Sequence, residues 1–253
     1  MSAAVPVVVT GVGGGGFGEQ LLKALRLADR RYEIIATDTT ALSKGFARSD
    51  VRYVVPRAGD ADYVPALLAA CRRHAAVAVL PGSEPELRAL SAARDQFAAQ
   101  GIFLPINPAG VIDICLDKDR TSAFLEAHGF RVPHTVRIDT VDDLARVDRF
   151  PSVLKPSVGG GGSADVTIAQ DEHELLAFGR YLLASGRQLI AQEYVGTGEQ
   201  EFTVGVLCTM DGELLNSIAV RRLTMSGLSN RVKVPNRTGR TALGDTLVIS
   251  SGV

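Results

Sequence analysis

The sequence predicts an α/β protein in which a parallel, doubly wound N-terminal domain is followed by an α+β domain. Two observations carry this prediction. Up to Leu104, short apolar runs alternate with amphipathic segments, which indicates strands joined by helical crossovers and therefore a parallel sheet. After Asn107, two strand-like runs flank an Asp211-Gly212 turn of the type that joins antiparallel strands. We place the domains at residues 1–108 and 109–253.

The N-terminal elements are identified from their hydrophobic periodicity. Residues 5–10 are a valine-rich run typical of a buried strand, and residues 19–27 place their leucines on one stripe of a helix. Gly101 and Pro105 mark the ends of later elements. The other predicted strands are 33–37, 52–55, 77–80 and 102–104, and the other predicted helices are 61–74 and 84–100.

The C-terminal elements combine helices with antiparallel strands. Asp171 and Glu174 have the spacing of a capping box, so a helix is expected to begin there. The glycine-rich stretch 156–163 separates two apolar runs and predicts a loop between adjacent strands. The remaining predicted helices are 118–128 and 140–147, and the predicted strands are 152–155, 165–168, 189–193, 200–207 and 213–222, with an extended stretch at 132–138.

Composition and charge exclude several classes of protein. The 27 basic and 28 acidic residues give a net charge of −1, which argues against a general binder of nucleic acid or membrane surfaces. A hydrophobic fraction of 46% and a charged fraction of 22% are typical of a folded globular protein. No apolar run approaches the roughly 18 residues of a membrane span, and no basic region precedes the first valines. Since the three cysteines form no CxxC motif, we expect a cytoplasmic protein with reduced thiols.

The first glycine-rich loop, residues 10–18, lies directly between a predicted strand and a predicted helix. Gly11, Gly13 and Gly16 fit the GxGxxG spacing, and Asp38 ends the second strand, as in a dinucleotide-binding fingerprint. A run of glycines matches many spacings, however, and a tight strand-to-helix turn that binds no nucleotide explains the same residues. The sequence is compatible with both interpretations.

The second glycine-rich loop, residues 156–163, follows an apolar run that ends in Lys155. Lysine is a compact cation suited to phosphate oxygens, and glycine amides can close over a polyphosphate. The loop does not have the GxxxxGK[ST] pattern of a Walker loop. It is either a flexible linker or a hairpin tip that folds over a nucleotide and excludes water.

Four short motifs occur in order along the second half of the chain. They are Asp117-Lys118 at a helix start, Val153-Leu154-Lys155-Pro156-Ser157 before the glycines 159–162, Gln192-Glu193-Tyr194-Val195, and Glu201-Phe202-Thr203-Val204. Together they resemble the ATP-grasp superfamily. The N-terminal run TGVGGGGFGEQLLKAL resembles the pre-ATP-grasp domain of proteins like the carbamoyl-phosphate synthase large subunit. The resemblance implies a pre-ATP-grasp domain followed by an ATP-grasp domain.

The resemblance implies a role in ATP binding for each motif. Lys118 and Lys155 would contact the phosphates, where a fixed cation offsets the charge that develops on the leaving phosphate. The triphosphate would be covered by Gly159, Gly160, Gly161, Gly162 and Ser163. The hinge beside the adenine would be lined by Glu193, Tyr194 and Val195, and the ribose hydroxyls would be bound by Glu201. A surface lysine at 118 and a solvated acid at 201 are the alternatives.

Catalytic and substrate-binding residues are also implied by the resemblance. Lys155 and Arg222 are the expected catalytic residues, since both place a cation where a phosphate or an acyl phosphate would lie. The first glycine-rich loop and the end of the fourth strand would face the active-site cleft and hold the substrate. The candidate substrate residues are Gly13, Gly14, Gly15, Ser83 and Glu84.

ATP and Mg²⁺ are the expected cofactors, but the metal ligands typical of the superfamily are missing from the sequence. Those ligands are acidic residues after the ribose-binding glutamate, and here only Asp211, Glu213 and Asp245 follow Glu201. We therefore expect an incomplete ATP-grasp domain whose metal ligands lie beyond the chain end. Because phosphoryl transfer depends on metal charge, these 253 residues should bind MgATP weakly and have little or no activity.

The leading hypothesis is an ATP-dependent ligase. ATP would phosphorylate a carboxylate, and an amine or ammonia would displace the phosphate. The expected partners are small-molecule carboxylate and amine substrates and, since many relatives are dimers, a second copy of the chain. Two alternatives stay open: an NAD(P)-binding oxidoreductase built on the first loop and Asp38, and a non-catalytic nucleotide-binding module.

Overall fold

The computed structural model describes residues 3–13, 16–159, 165–196, 202–222 and 246–252, the last of these and Arg222 by their backbone alone. The chain divides into two compact units, Met1–Ile112 and Asp113–Val253. None of the helices in the described ranges is long and apolar enough to cross a bilayer.

The first unit is built on a parallel sheet. Its strands are β1 (Val5–Val9), β2 (Tyr32–Asp38), β3 (Val51–Val54) and β4 (Ala78–Leu80), in the spatial order β3-β2-β1-β4. Its helices are α1 (Phe17–Leu27), α2 (Tyr63–His74), α3 (Glu84–Ala92) and α4 (Arg94–Ala98), with a 3-10 helix at Lys44–Arg48, and α5 (Ala109–Cys115) contains the boundary between the units. The parallel pairing of β1 with β2 and with β4 confirms the predicted parallel domain.

The central strand β1 organises the core of this unit. Val8 and Val9 are fully buried, since β1 has a neighbouring strand on each side and contacts helices α1 and α2. Val9 belongs to a cluster with Ile34 of β2, Leu22 of α1 and Phe46 of the 3-10 helix. This packing places the first glycine-rich loop at the carboxyl end of β1.

The second unit contains an antiparallel four-stranded sheet. Its strands are β5 (Thr135–Ile138), β6 (Ser152–Pro156), β7 (Thr167–Ala169) and β8 (Leu189–Glu193), in the order β5-β8-β6-β7. The helices are α6 (Lys118–Ala127) and α7 (Glu172–Leu183), with a 3-10 helix at Asp142–Arg146. One sheet face packs on α7, because Leu154, Leu189 and Ala191 share a core cluster with Leu175 and Leu182.

A second antiparallel sheet follows in the same unit. It consists of β9 (Phe202–Cys208), β10 (Leu214–Arg222) and β11 (Thr246–Gly252), in the order β11-β10-β9. The predicted hairpin is present, and Gly212 has the positive φ of +90° that its turn requires. The predicted combination of a parallel domain with an α+β domain is therefore confirmed.

Several predicted elements differ in detail from the structure. The predicted helix 84–100 is two helices, because Ala93 adopts φ −100° and ψ 12° between α3 and α4. The predicted strand 102–104 is a single parallel bridge from Phe103 to Ala78, and the predicted helix 140–147 is a 3-10 helix. Helix α5 and strand β11 were not predicted. The predicted helix start is confirmed, since the Asp171 carboxylate accepts the Glu174 N–H at 2.9 Å and the Glu174 carboxylate accepts the Gln170 N–H at 2.9 Å.

Candidate functional site

The β5-β8-β6-β7 sheet presents Lys155 and Gln192 on the face opposite α7, called here the Lys155 face. Residues directly opposite in an antiparallel pair share a face, and Gln192 lies opposite both Val153 and Thr135. Lys155 is two residues from Val153 and therefore shares this face. Its neighbour Leu154 points the other way, into the core beside α7. The alternation of β6 thus directs Lys155 out of the core.

A chain of hydrogen bonds crosses the Lys155 face. The Lys155 ammonium donates to Gln192 Oε1 at 2.7 Å, and Gln192 Nε2 donates to Thr135 Oγ1 at 2.9 Å. Thr135 Oγ1 in turn donates to the carbonyl of Pro133 at 2.9 Å. Burial, with a smaller effect from the nearby charge of Lys118, lowers the pKa of Lys155 below its usual value. The site therefore holds a half-buried ammonium that a phosphate anion would stabilise.

Lys118 reaches the glycine-rich loop after β6. Its Nζ donates to the carbonyl of Gly159 at 2.8 Å, and its backbone N–H donates to the carbonyl of Ser157 at 2.9 Å. Gly159 has a φ of +75°, a conformation that glycine adopts without strain. The structure thus brings both predicted phosphate-binding lysines to the start of the predicted loop.

Asp117 fixes the beginning of α6 beside this loop. Its carboxylate accepts the Asp119 and Arg120 amides at 3.0 and 3.3 Å and the Ser157 hydroxyl at 2.6 Å. Burial alone would raise the pKa of Asp117, but these hydrogen bonds outweigh it and lower the pKa. Asp117 therefore ties the lysine-bearing helix to β6.

Asp117→Asn should reduce stability at neutral pH by about 1 kcal/mol, because hydrogen bonds to a charged acceptor stabilise more than those to a neutral amide oxygen. A carboxyl group with a lowered folded-state pKa contributes stability above its unfolded pKa of about 3.9 and loses it as the pH falls through the folded value. The difference between variant and wild type should therefore shrink below pH 4. Urea midpoints at pH 7 and pH 3 measure this. Asp62→Asn is the control, since Asp62 precedes α2 without a side-chain capping bond, and a loss independent of pH would contradict the expectation.

The predicted hinge follows β8. The backbone N–H groups of Glu193 and Tyr194 donate to the carbonyls of His134 and Pro151 at 2.8 and 3.0 Å. Within the described ranges the carbonyl of Tyr194 and the N–H of Val195 have no hydrogen-bond partner. The side chains of Tyr194 and Val195 are 36% and 65% exposed. A planar base beside the hinge could use both the apolar surface and these two backbone groups.

The Glu193 carboxylate is held away from that backbone edge. It pairs with Arg149 at 3.0 Å and accepts the backbone N–H of His134 at 3.3 Å. The hydrogen bond from Arg149, followed by that from His134, lowers the pKa of Glu193. Glu193 thus contributes to the hinge through its backbone, while its side chain connects β8 to the segments before β5 and β6 through the bonds with His134 and Arg149.

Several predicted site residues lie outside the described part of the structure. They are Gly14, Gly15, Gly160, Gly161, Gly162, Ser163 and Glu201, together with the side chain of Arg222. The backbone of Arg222 is described, and it pairs with Thr246 at the end of β10. The roles expected for these residues stay predictions.

In the first unit, close chain packing accounts for glycines of the first loop. A Cβ atom on Gly18 would overlap the carbonyl oxygen of Gly11, and one on Gly82 would overlap that of Thr10. The loop and the start of α1 therefore meet backbone against backbone, which only glycine permits. This explains part of the glycine run without a bound nucleotide.

The Asp38 carboxylate, which a dinucleotide would need for its ribose, is bound within the protein. Its Oδ2 accepts the Gly13 N–H at 2.7 Å and the Ser43 hydroxyl at 3.3 Å, while Oδ1 accepts the Thr40 N–H at 3.3 Å. Asp38 is only 8% exposed. A ribose would have to displace these bonds, so the geometry weighs against the dinucleotide alternative.

The first turn of α3 contains a buried acid that the sequence did not reveal. Glu86 is 7% exposed and accepts the Ser83 hydroxyl at 2.8 Å, whereas Glu84 is exposed. Burial raises the pKa of Glu86, and the hydrogen bond from Ser83, with the nearby hydroxyl groups of Thr10 and Tyr63, partly offsets that effect. The Ser83 hydroxyl thus forms a hydrogen bond within the protein, and the contact of Ser83 with substrate stays a prediction. The sequence alone does not show that Glu86 lies beside Gly11, because this contact depends on the fold.

Metal ligands are not gathered in the parts of the chain that the structure covers. No group of three or more His, Cys, Asp or Glu side chains there could hold a metal ion. Asp211 and Glu213 flank the turn between β9 and β10 and are exposed. The described residues therefore do not fit a magnesium site.

Comparison with protein families matches the first unit. Residues 10–105 match the PylC-like N-terminal domain family. A comparison with curated protein sequences gives no significant match.

Solved structures of ATP-grasp enzymes share the fold of most of the chain. An N5-carboxyaminoimidazole ribonucleotide synthetase in complex with ADP is 18% identical with a TM-score of 0.68, over 92% of this chain and 56% of that one. The carboxyaminoimidazole ribonucleotide synthase of Aspergillus clavatus, complexed with ATP, is 18% identical with a TM-score of 0.66, over 88% and 55%. The L-amino acid ligase of Bacillus licheniformis is 15% identical with a TM-score of 0.62, over 91% and 57%.

These comparisons show that the chain shares the fold of these enzymes, and residues 10–105 match the PylC-like N-terminal domain. The fold implied by the ATP-grasp resemblance is therefore confirmed, while the carbamoyl-phosphate-synthase-like branch stays a prediction. The chain spans little more than half the length of the solved structures named above.

Proposed function

We propose that the second unit binds ATP on the Lys155 face. The observation that carries this proposal is the convergence of the Lys118 and Lys155 ammonium groups at the first residues of the glycine-rich loop. The two ammonium charges repel each other, and a bound polyphosphate would relieve that repulsion. The fold supports the same conclusion, since neighbouring structures contain ADP or ATP.

Each part of the proposed site contacts a different part of ATP. Lys118 and Lys155 bind phosphate oxygens, and the glycine-rich loop covers them. The Tyr194 carbonyl accepts a hydrogen bond from an adenine amino group, and the Val195 N–H donates to a ring nitrogen. Glu201 binds the ribose, as the superfamily resemblance implies.

We propose further that the whole enzyme is an ATP-dependent ligase. A substrate carboxylate oxygen attacks the terminal phosphorus, the bond between that phosphorus and the bridging oxygen breaks, and ADP leaves. An amine or ammonia then attacks the acyl carbon and releases phosphate. Lys155 and Arg222 stabilise negative charge in these steps, and Gly13 with Ser83 and Glu84 contributes to substrate binding. The neighbouring amino acid ligase and carboxyaminoimidazole synthetases support this class of reaction.

Magnesium would supply the charge neutralisation that phosphoryl transfer needs. Nucleotide binding without turnover stays the alternative prediction. We also propose cytoplasmic location, a homodimer, and a domain boundary at residues 108 and 109.

Calorimetry with a non-hydrolysable ATP analogue, with magnesium present, tests the proposal. The analogue should bind in the micromolar to millimolar range, while NADH should give no binding heat, because Asp38 is already bound within the protein. NADH binding without a response to the ATP analogue would move the nucleotide to the first unit. Product formation from carboxylate and amine mixtures separates a ligase from a non-catalytic module.

A further inference from the structure

The orientation of the Gln192 amide is determined by its neighbours. The Thr135 hydroxyl donates its single hydrogen to the Pro133 carbonyl, so its oxygen can only accept a hydrogen bond from Gln192. The Gln192 NH₂ group therefore faces Thr135, and its oxygen faces the Lys155 ammonium. The reversed amide would place NH₂ against NH₃⁺, two donors in contact. The chain of bonds thus presents one neutral acceptor to Lys155.

A neutral acceptor has a specific consequence for a cation that binds phosphate. An ammonium has three donors, and Gln192 engages one of them, which leaves two for phosphate oxygens. Across the side chains that the structure describes, no carboxylate forms an ion pair with Lys155. The side chain is held in place while the described carboxylates leave its charge uncompensated.

We propose that Gln192 is a positioning residue, which holds the Lys155 ammonium toward the nucleotide phosphates without neutralising its charge. This inference rests on the proposed ATP-binding function. Gln192→Glu keeps the size of the side chain and offers a carboxylate in place of the amide oxygen. The carboxylate would pair with Lys155 and compete with phosphate for the same ammonium. Gln192→Leu removes the acceptor and leaves the ammonium without its anchor.

The test combines lysine NMR with binding calorimetry on the full chain. Protein labelled with ¹³C and ¹⁵N in its five lysines gives few side-chain signals, and the Lys155 signal is the one lost in Lys155→Met. Gln192→Glu should raise the pKa of Lys155 and weaken the ATP analogue about tenfold. Gln192→Leu should also weaken the analogue. Thr135→Val, which removes the acceptor for the Gln192 amide, should weaken it severalfold while leaving the charge of the site unchanged.

Gln96→Glu is the matched control. Gln96 is exposed on α4 of the first unit, so the same change there adds equal charge to the chain outside the sheet that carries Lys155. It should change neither readout. If Gln192→Glu raises the pKa of Lys155 but leaves ATP affinity at the wild-type value, or changes neither, the positioning role is overturned and the proposed function stands. If the wild type itself fails to bind the analogue, the proposed function is overturned, and the positioning role with it.

Discussion

Lys155→Met should weaken binding of a non-hydrolysable ATP analogue by roughly ten- to a hundredfold, the range expected for one hydrogen bond to a charged group. The same change should leave the protein as stable as the wild type or more stable. Burial lowers the pKa of Lys155, which means that folding disfavours its charged form. That cost is full below the folded-state pKa and disappears only as the pH rises to the unfolded-state value of about 10.4, so it is present at neutral pH. Methionine removes the charge and keeps a flexible apolar stem of similar length.

Affinity for the analogue must fall while stability does not fall, which separates loss of a ligand contact from loss of folding. Calorimetry gives the affinity, and thermal denaturation without ligand gives the stability. Arg180→Met is the matched control, since Arg180 is an exposed cation on α7, against the other face of the same sheet. Equal affinity in Lys155→Met and wild type would remove Lys155 from the site. A large fall in unfolding temperature would instead assign Lys155 a structural role.

Much of this site could be predicted because its residues sit in short local patterns. The apolar run before Lys155 fixed β6, and its alternation put the lysine on the side away from the core. Strand β8 lies at the predicted residues, since the apolar run Leu189–Ala191 is bounded by a turn before it and a glycine after it. Local pattern therefore located both halves of the site.

The bonds that connect those halves could not be predicted, because they depend on strand register. Gln192 begins the motif Gln192-Glu193-Tyr194-Val195, but its contact with Lys155 follows only from the pairing of β6 with β8. The pairing of β8 with β5 likewise brings Thr135 to Gln192. Register depends on which strands become neighbours, and the order β5-β8-β6-β7 is not the order of the sequence. Knowing that order would have given Gln192 a role from the alternation of side chains alone.

The break at Ala93 and the strand β11 were missed for different physical reasons. Alanine is a strong helix former, so nothing local marks the residue at which α3 ends. Strand β11 is stabilised by pairing with β10, and its own sequence, TLVISSG, carries little alternation. The first glycine-rich loop was ambiguous because close packing and phosphate binding both require glycine.

Gly82→Ala should destabilise the first unit by about 3 kcal/mol or more, at the upper end of the range for overpacked cores. A methyl group at Gly82 would overlap the Thr10 carbonyl oxygen and come within 2.8 Å of Gly18 Cα and 2.9 Å of the Gly11 oxygen. All three atoms belong to backbone, so no side chain can rotate away. Gly82 also donates its N–H to Thr10 Oγ1 at 3.1 Å. Relieving the overlap must therefore move the end of β4 away from the carboxyl end of β1.

Urea denaturation, with amide exchange followed in β1 and β4, measures this effect. Gly59→Ala is the control, because a Cβ at Gly59 meets nothing within 4 Å and its φ is not positive. There alanine should be neutral or slightly stabilising, since it lowers the entropy of the unfolded chain. If Gly82→Ala were tolerated as well as Gly59→Ala, the close packing would not explain the glycines. The glycine run of residues 10–18 would then need a ligand to account for it, and the dinucleotide interpretation would regain its main support.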